Sequence, residues 1–140
     1  MKFSIKFQYG AGALLALALN YEKKPLKIEK ISKDRKIPIR YLEQLLLVLK
    51  RSGVVESVRG KKGGYILLKK PIDITMLDVV DVFEGAIEFC ACNYKVRRNN
   101  VVCNVLVEAE DCVKEKLSSI TLDDILTRES KKKELYTYNI

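Results

Sequence analysis

The sequence predicts a mainly α-helical chain with a small β-wing: a winged helix-turn-helix followed by a long dimerisation helix. Two apolar stripes at helical spacing lie on either side of a short turn within residues 27–52. Two strand-like runs follow, flanking the glycine-rich basic turn Gly60-Lys61-Lys62-Gly63-Gly64. Charge is also divided along the chain. Residues 1–70 carry 17 Lys and Arg against 5 Asp and Glu, whereas residues 71–140 carry 9 against 13. A basic half joined to a mildly acidic half is the pattern of a nucleic-acid surface on one part of a chain.

The elements follow in order. Residues 7–21 are rich in Ala and Leu and predict a first helix. Lys2 and Lys6 ahead of the apolar run 10–19 imitate a signal peptide, but the run is shorter than the roughly 20 residues a bilayer requires. It reads as a buried helix of a cytoplasmic protein. Pro25 marks a turn, and residues 27–35 predict a second helix burying Ile28 and Ile31. Pro38 then suits a first helical position, where a missing N–H costs nothing. From 39 to 52, leucines 42, 45, 46 and 49 form one stripe, and Gly53 closes the helix. Residues 54–59 and 65–68 are the strands of the wing. Residues 1–70 thus form the DNA-binding region.

Residues 71–101 read as a linking helix and a cysteine-containing loop. Thr75 with Asp78 has capping-box spacing, and Gly85 ends that helix. Residues 86–101 look irregular and hold the turn Arg97-Arg98-Asn99-Asn100. Residues 102–128 predict a long helix over 102–118 and a short one capped by Thr121 and Asp124. The apolar positions 102, 106, 109, 113, 117 and 120 of the long helix suit either a dimer seam or an intrachain core face. The tail, 129–140, with its Lys131-Lys132-Lys133 run, predicts fraying.

The chain has no histidine. That removes His-based acid–base chemistry, Ser-His and Cys-His nucleophile pairs, and Cys/His zinc fingers. No phosphate-binding glycine motif is present either, so an enzyme is the least favoured class. All four cysteines fall between Cys90 and Cys112. In a cytosolic chain such clustering suggests metal or redox chemistry more than structural disulfides.

In a helix-turn-helix the second helix enters the major groove, its N-terminal residues against the base edges. Those residues are Arg40, Tyr41, Glu43 and Gln44, with Lys50 and Arg51 at the far end. Arg suits guanine, Gln adenine, and Glu the cytosine amino group. Glu43 would contribute specificity, because phosphate repels it. Arg59 suits a narrow minor groove, and Gly60, Lys61 and Lys62 place the backbone and two cations at phosphates.

At Tyr41-Leu42-Glu43-Gln44-Leu45 and Ser57-Val58-Arg59-Gly60-Lys61-Lys62-Gly63-Gly64-Tyr65 the chain resembles the iron–sulfur cluster regulator family, the IscR/NsrR/CymR-type winged-helix repressors (the Rrf-two family). The resemblance extends over nearly the whole chain, including Tyr9, Ile31-Ser32 and the closing Ile120-Thr121-Leu122-Asp123-Asp124. It implies a homodimer held by the helix near 102–118, bound to a roughly palindromic operator in double-stranded DNA. Glu43, Gln44 and Arg59 match positions that the family uses on DNA. Pro38 and Arg40 stand where serine is common, which leaves room for a different base preference.

Some members carry a 2Fe–2S or 4Fe–4S cluster on three cysteines between the fourth helix and the dimerisation helix; others are cluster-free and answer to a partner protein or a metabolite. Here the candidates are Cys90, Cys92 and Cys103, spaced differently from the family's usual three. Cys112 lies nine residues along a helix from Cys103, roughly 13 Å away. A fourth ligand, in some relatives an acidic residue from the other protomer, would correspond to Gln8 of the partner subunit, a poorer donor. The thiols therefore remain open to three readings: an iron–sulfur site, a thiol–disulfide or other metal sensor, or inert cysteines with Cys112 buried as a small hydrophobe. The leading expectation is a DNA-binding repressor governed by that site. An iron–sulfur carrier or scaffold without DNA binding is the competing class, and the basic wing argues against it.

Overall fold

The computed structural model describes residues 1–90 and 99–138. Cys92 and the Arg97-Arg98 pair lie outside the described residues. The elements run α1 (Ile5–Leu19), α2 (Ile28–Arg35), α3 (Ile39–Arg51), β1 (Val55–Val58), β2 (Gly64–Leu67), a 3-10 turn (Pro71–Asp73), α4 (Met76–Glu84), α5 (Val101–Ser118) and α6 (Leu122–Tyr138). This is the mainly α-helical chain with a two-stranded wing that the sequence predicts.

α1 lines the core on which α2, α3 and the wing rest. Ala13, Leu14 and Leu17 of α1 pack with Ile31, Ile37, the α3 residues Leu42, Leu45, Leu46 and Leu49, Val55 and Leu67 of the wing, Val79 and Phe83 of α4, and Leu122 of α6. Apolar groups removed from water at about 25 cal/mol per Å² make this cluster the main source of stability. Small residues let the helices come close. A Cβ on Gly10 would collide with the Phe83 ring, so α1 crosses α4 with the ring seated on bare backbone.

α1 begins two residues earlier than periodicity indicates, because Ser4 caps it by accepting from the Phe7 N–H at 3.1 Å. Thr75 and Asp78 form the expected capping box on α4. The same exchange recurs at Thr121 and Asp124, where each backbone N–H is bonded to the other's side chain. The two capped starts are zipped together: the Met76 N–H donates to the Ile120 carbonyl at 2.8 Å and the Leu122 N–H to the Ile74 carbonyl at 2.9 Å. α6 therefore leaves α5 and returns along α1.

The C-terminal segment departs from the sequence expectation. Residues 129–138 are not frayed but continue α6 as one helix to Tyr138. Part of the reason is a bidentate ion pair. Arg35 at the end of α2 donates from Nη1 to Glu129 Oε1 at 2.7 Å and from Nη2 to Oε2 at 3.3 Å. Lys132 also lies over the Tyr136 ring, 6.0 Å from its centroid. Glu129 is polar and 94 residues from its partner, so no local pattern announces the contact.

The Arg35 hydrogen bonds hold the Glu129 carboxyl below its ordinary pKa. A depressed carboxylate pKa stabilises the fold above the unfolded value, and this is lost as pH falls through the folded one. Glu129→Gln should therefore cost under about 1 kcal/mol at pH 7, a partly exposed pair being screened by solvent. The difference from wild type should shrink as pH drops below the carboxylate range, as read by urea denaturation at several pH values.

Candidate nucleic-acid interface and thiol site

α2 and α3 are joined by Lys36, Ile37 and Pro38. Lys36 takes a left-handed conformation (φ 54°) that turns the chain, and Ser32 Oγ donates to the Ile37 carbonyl at 2.6 Å. Buried Ile37 pins the turn to the core. Pro38 is the residue preceding α3, with φ −56° and ψ 130°, not the first helical residue. The proline ring fixes φ and so restricts the turn without a side-chain cap.

With Leu42, Leu45, Leu46 and Leu49 turned inward, the opposite face of α3 is fixed. Arg40, Glu43, Gln44, Lys50 and Arg51 are all exposed. Tyr41 is half-buried, its ring edge-on to Tyr9 of α1 at 5.8 Å between centroids, so it packs as well as flanking that face. Leu47, overlooked in the sequence reading, is 46% exposed. The spacing 40, 43, 44, 47, 51 is itself a helical stripe and was the available signal. An apolar side chain there suits a thymine methyl.

Lys50 is already engaged. Its Nζ donates to Ser57 Oγ of β1 at 2.7 Å and lies 4.0 Å from Glu56. It ties the end of α3 to the wing. Arg51 has no such tie among the described contacts.

The wing pairs Val55 with Leu67 through Val58 with Gly64 in antiparallel register. Arg59, Gly60, Lys61 and Lys62 form its exposed tip, closed by the Gly63 N–H on the Gly60 carbonyl at 3.0 Å. The segment before α2 braces the other edge: Leu26 and Tyr65 exchange both backbone hydrogen bonds, at 3.0 and 2.9 Å. Gly64 makes that approach feasible. Its φ is +151°, and an added Cβ would sit 2.5 Å from the Leu26 carbonyl oxygen. Glycine is the residue that tolerates both.

The second site lies where the loop after α4 meets α5. Asn100 caps α5, accepting from the Val102 and Cys103 N–H groups at 3.0 and 3.2 Å. This starts the helix at Val101, one residue before the periodicity indicates. Cys103 in the first turn is buried, as is Cys90. Their sulfurs lie against each other, with Cα atoms 5.9 Å apart. Two of the three candidate ligands are thus brought together, and Cys92 lies outside the described residues. Cys112 is exposed, which corrects its reading as a buried small hydrophobe. Gln8 is exposed on α1. Among the described residues, no set of three metal-ligating side chains converges.

The predicted seam on α5 is divided. Val101 and Val102 are 75% and 69% exposed, and Val105, Leu106 and Ala109 are also open. Val113, Leu117 and Ile120 are half-covered by the chain itself. Among the described residues, no helix is long and apolar enough to cross a membrane.

Comparison with known proteins agrees with this geometry. The helix-turn-helix-type transcriptional regulator CymR of Bacillus subtilis is 33% identical over the full length of both chains. The regulator IscR of Escherichia coli is 36% identical over 68% of this chain and 59% of that protein. Among solved structures, T. potens IscR matches with TM-score 0.76 and 36% identity, over 92% of this chain and 88% of that one. The structure described as CymR, the global cysteine regulator of B. subtilis, matches with TM-score 0.75 and 32% identity, over 91% and 98%. The family model described as an iron-dependent transcriptional regulator matches residues 3–128. With that match over most of its length, the chain belongs to the Rrf2 family and is a DNA-binding transcriptional regulator, not an enzyme.

Proposed function

We propose that the chain acts as a homodimeric, sequence-specific repressor whose affinity for DNA is set by the state of Cys90, Cys92 and Cys103. The observation that carries this reading is the meeting of Cys90 and Cys103 at the start of α5, beside the open apolar residues of that helix. A second copy covering Val101, Val102, Val105 and Leu106 would join the sensing thiols to the dimer seam. α3 would then lie in the major groove, with Arg40, Glu43 and Gln44 at base edges and Leu47 at a methyl. The wing would carry Arg59 into the adjacent minor groove.

A 2Fe–2S or 4Fe–4S cluster suits this donor set. Two buried cysteine sulfurs already meet, and soft sulfur donors are what iron–sulfur centres take. Cys90 and Cys103 would hold it with Cys92, and Gln8 of the partner subunit is the remaining donor by position. When bound, the group supplies a state that responds to iron supply and oxidation. A second reading has its own support: the Cα separation of 5.9 Å falls within the span of a disulfide. The two thiols would then respond by two-electron oxidation to a disulfide. An oxidised form is known for Staphylococcus aureus CymR, 28% identical to this chain.

The test is anaerobic reconstitution followed by absorption spectroscopy and an iron and sulfide count, alongside gel shift on the chain's own promoter region. Colour and iron should disappear in Cys103→Ala and persist in Cys112→Ala. A colourless, iron-free protein sinks the cluster reading and leaves the dithiol one. In the same DNA assay, Lys61→Ala and Lys62→Ala should each reduce the log–log salt slope by about one. Binding that does not depend on salt would overturn the DNA interface itself.

A further inference from the structure

The geometry points to Glu110 as the positioning residue of the thiol site: its buried carboxylate latches the segment carrying Cys90 onto the helix carrying Cys103. A Glu in the middle of an amphipathic helix is ordinarily solvated, as the neighbouring Glu108 and Asp111 are, yet Glu110 is only 5% exposed. Its Oε2 accepts from the Phe89 N–H at 3.0 Å, and Phe89 immediately precedes Cys90. Its Oε1 accepts from Lys114 Nζ one turn further along α5, at 2.7 Å. The carboxylate thus bridges loop and helix. It also raises the pKa of the Lys114 ammonium, chiefly through that hydrogen bond.

Direction matters as much as contact. Cys103 lies seven residues before Glu110, two turns on the same face of α5, or about 10 Å along the axis. Helical side chains lean toward the N-terminus, so Glu110 leans toward Cys103 as it accepts from the Phe89 N–H. Fixing Phe89 there leaves Cys90 a single residue of chain with which to reach the Cys103 sulfur. Without the latch, the segment after Gly85 is held to α5 by fewer contacts, and the encounter of the two thiols costs more chain entropy.

This inference rests on the reading of Cys90 and Cys103 as the sensing pair, but its test does not require sensing. The full chain carrying Cys92→Ser and Cys112→Ser is equilibrated with glutathione and glutathione disulfide. In that reaction the two thiols give up two electrons and two protons, one disulfide forms in the protein, and two glutathione thiols are released. The oxidised fraction is counted by differential alkylation and mass spectrometry. Glu110→Ala should lower the equilibrium constant for disulfide formation by about tenfold or more, the worth of a charge-assisted hydrogen bond. Glu110→Gln, which keeps an acceptor for Phe89, should fall between. Helix content and the affinity of the reduced protein for DNA should not change.

A folded Glu110→Ala protein whose constant stays within about twofold of its parent overturns the proposal. Should that variant fail to fold, Glu110→Gln decides by the same criterion, because it gives up the charge and the Lys114 ion pair. Equal DNA binding by the oxidised and reduced parent would defeat the sensing role proposed above and leave the latch standing. The two failures are therefore distinguishable.

Discussion

Leu46→Ala should lower the unfolding free energy by about 2–5 kcal/mol, the cost of a large-to-small change where neighbours collapse only in part. Leu46 is fully buried and belongs to the cluster in which α1, α2, α3 and the wing meet. Truncation leaves a void between α3 and the elements that hold it. A typical domain has about 5–15 kcal/mol in all, so the loss is a large fraction of the whole. The neighbouring Leu47 is the control. It is 46% exposed and faces away from the core, so Leu47→Ala should change stability by no more than about 0.5 kcal/mol while weakening binding to the operator. Urea denaturation of both variants, followed by circular dichroism, checks the pair. Equal losses from the two would mean that α3 does not sit on the core by the face assigned to it.

The same contrast shows what a reader of the sequence could see. The leucines at 42, 45, 46 and 49 share one face by spacing alone, and so the outer face of α3 was legible before any coordinates. The wing was legible because turn chemistry is local: Gly60 and Gly63 close it by a hydrogen bond four residues long. Local chemistry also announced the box at Thr75 and Asp78. What escaped was non-local. Arg35 finds Glu129 across 94 residues, and Phe89 finds Glu110 across 21. Charged side chains read as solvated surface in any window-based view, and their burial or pairing depends on which elements are later brought together. α6 was underestimated for a related reason. It has little apolar periodicity beyond its first turns, and its ion pair with α2 lies outside its own sequence. The thiols were the hardest case. Spacing alone put Cys90, Cys92 and Cys103 in no familiar frame, and folding of the loop onto α5 is what brings two of them together.

Arg59→Ala should weaken binding to the cognate operator by about 1–3 kcal/mol, roughly fivefold to 150-fold. It should also blunt any preference for A·T pairs beside the major-groove site. The reason is mechanical as well as electrostatic. Arg59 is exposed at the end of β1, directly before the Gly60 turn, on a hairpin braced three ways. Leu26 pairs with Tyr65, the Gly63 N–H closes the tip, and Lys50 on α3 holds Ser57 on β1. The last tie matters most, because it links the wing to α3, the helix proposed to enter the major groove. A hairpin so restrained holds the Arg59 backbone in place before DNA arrives, so little main-chain entropy is lost on insertion. A narrow, A·T-rich minor groove attracts the guanidinium by enhanced negative potential. Arg59→Lys separates the two contributions: it keeps the charge and the salt slope but loses the planar fork. Lysine should therefore restore non-specific affinity without restoring the A·T preference. Competition gel shifts at several salt concentrations, on operators altered only beside the major-groove contacts, measure both. Wild-type affinity and preference in Arg59→Ala would remove the wing from readout and leave specificity to Arg40, Glu43, Gln44 and Leu47 on α3.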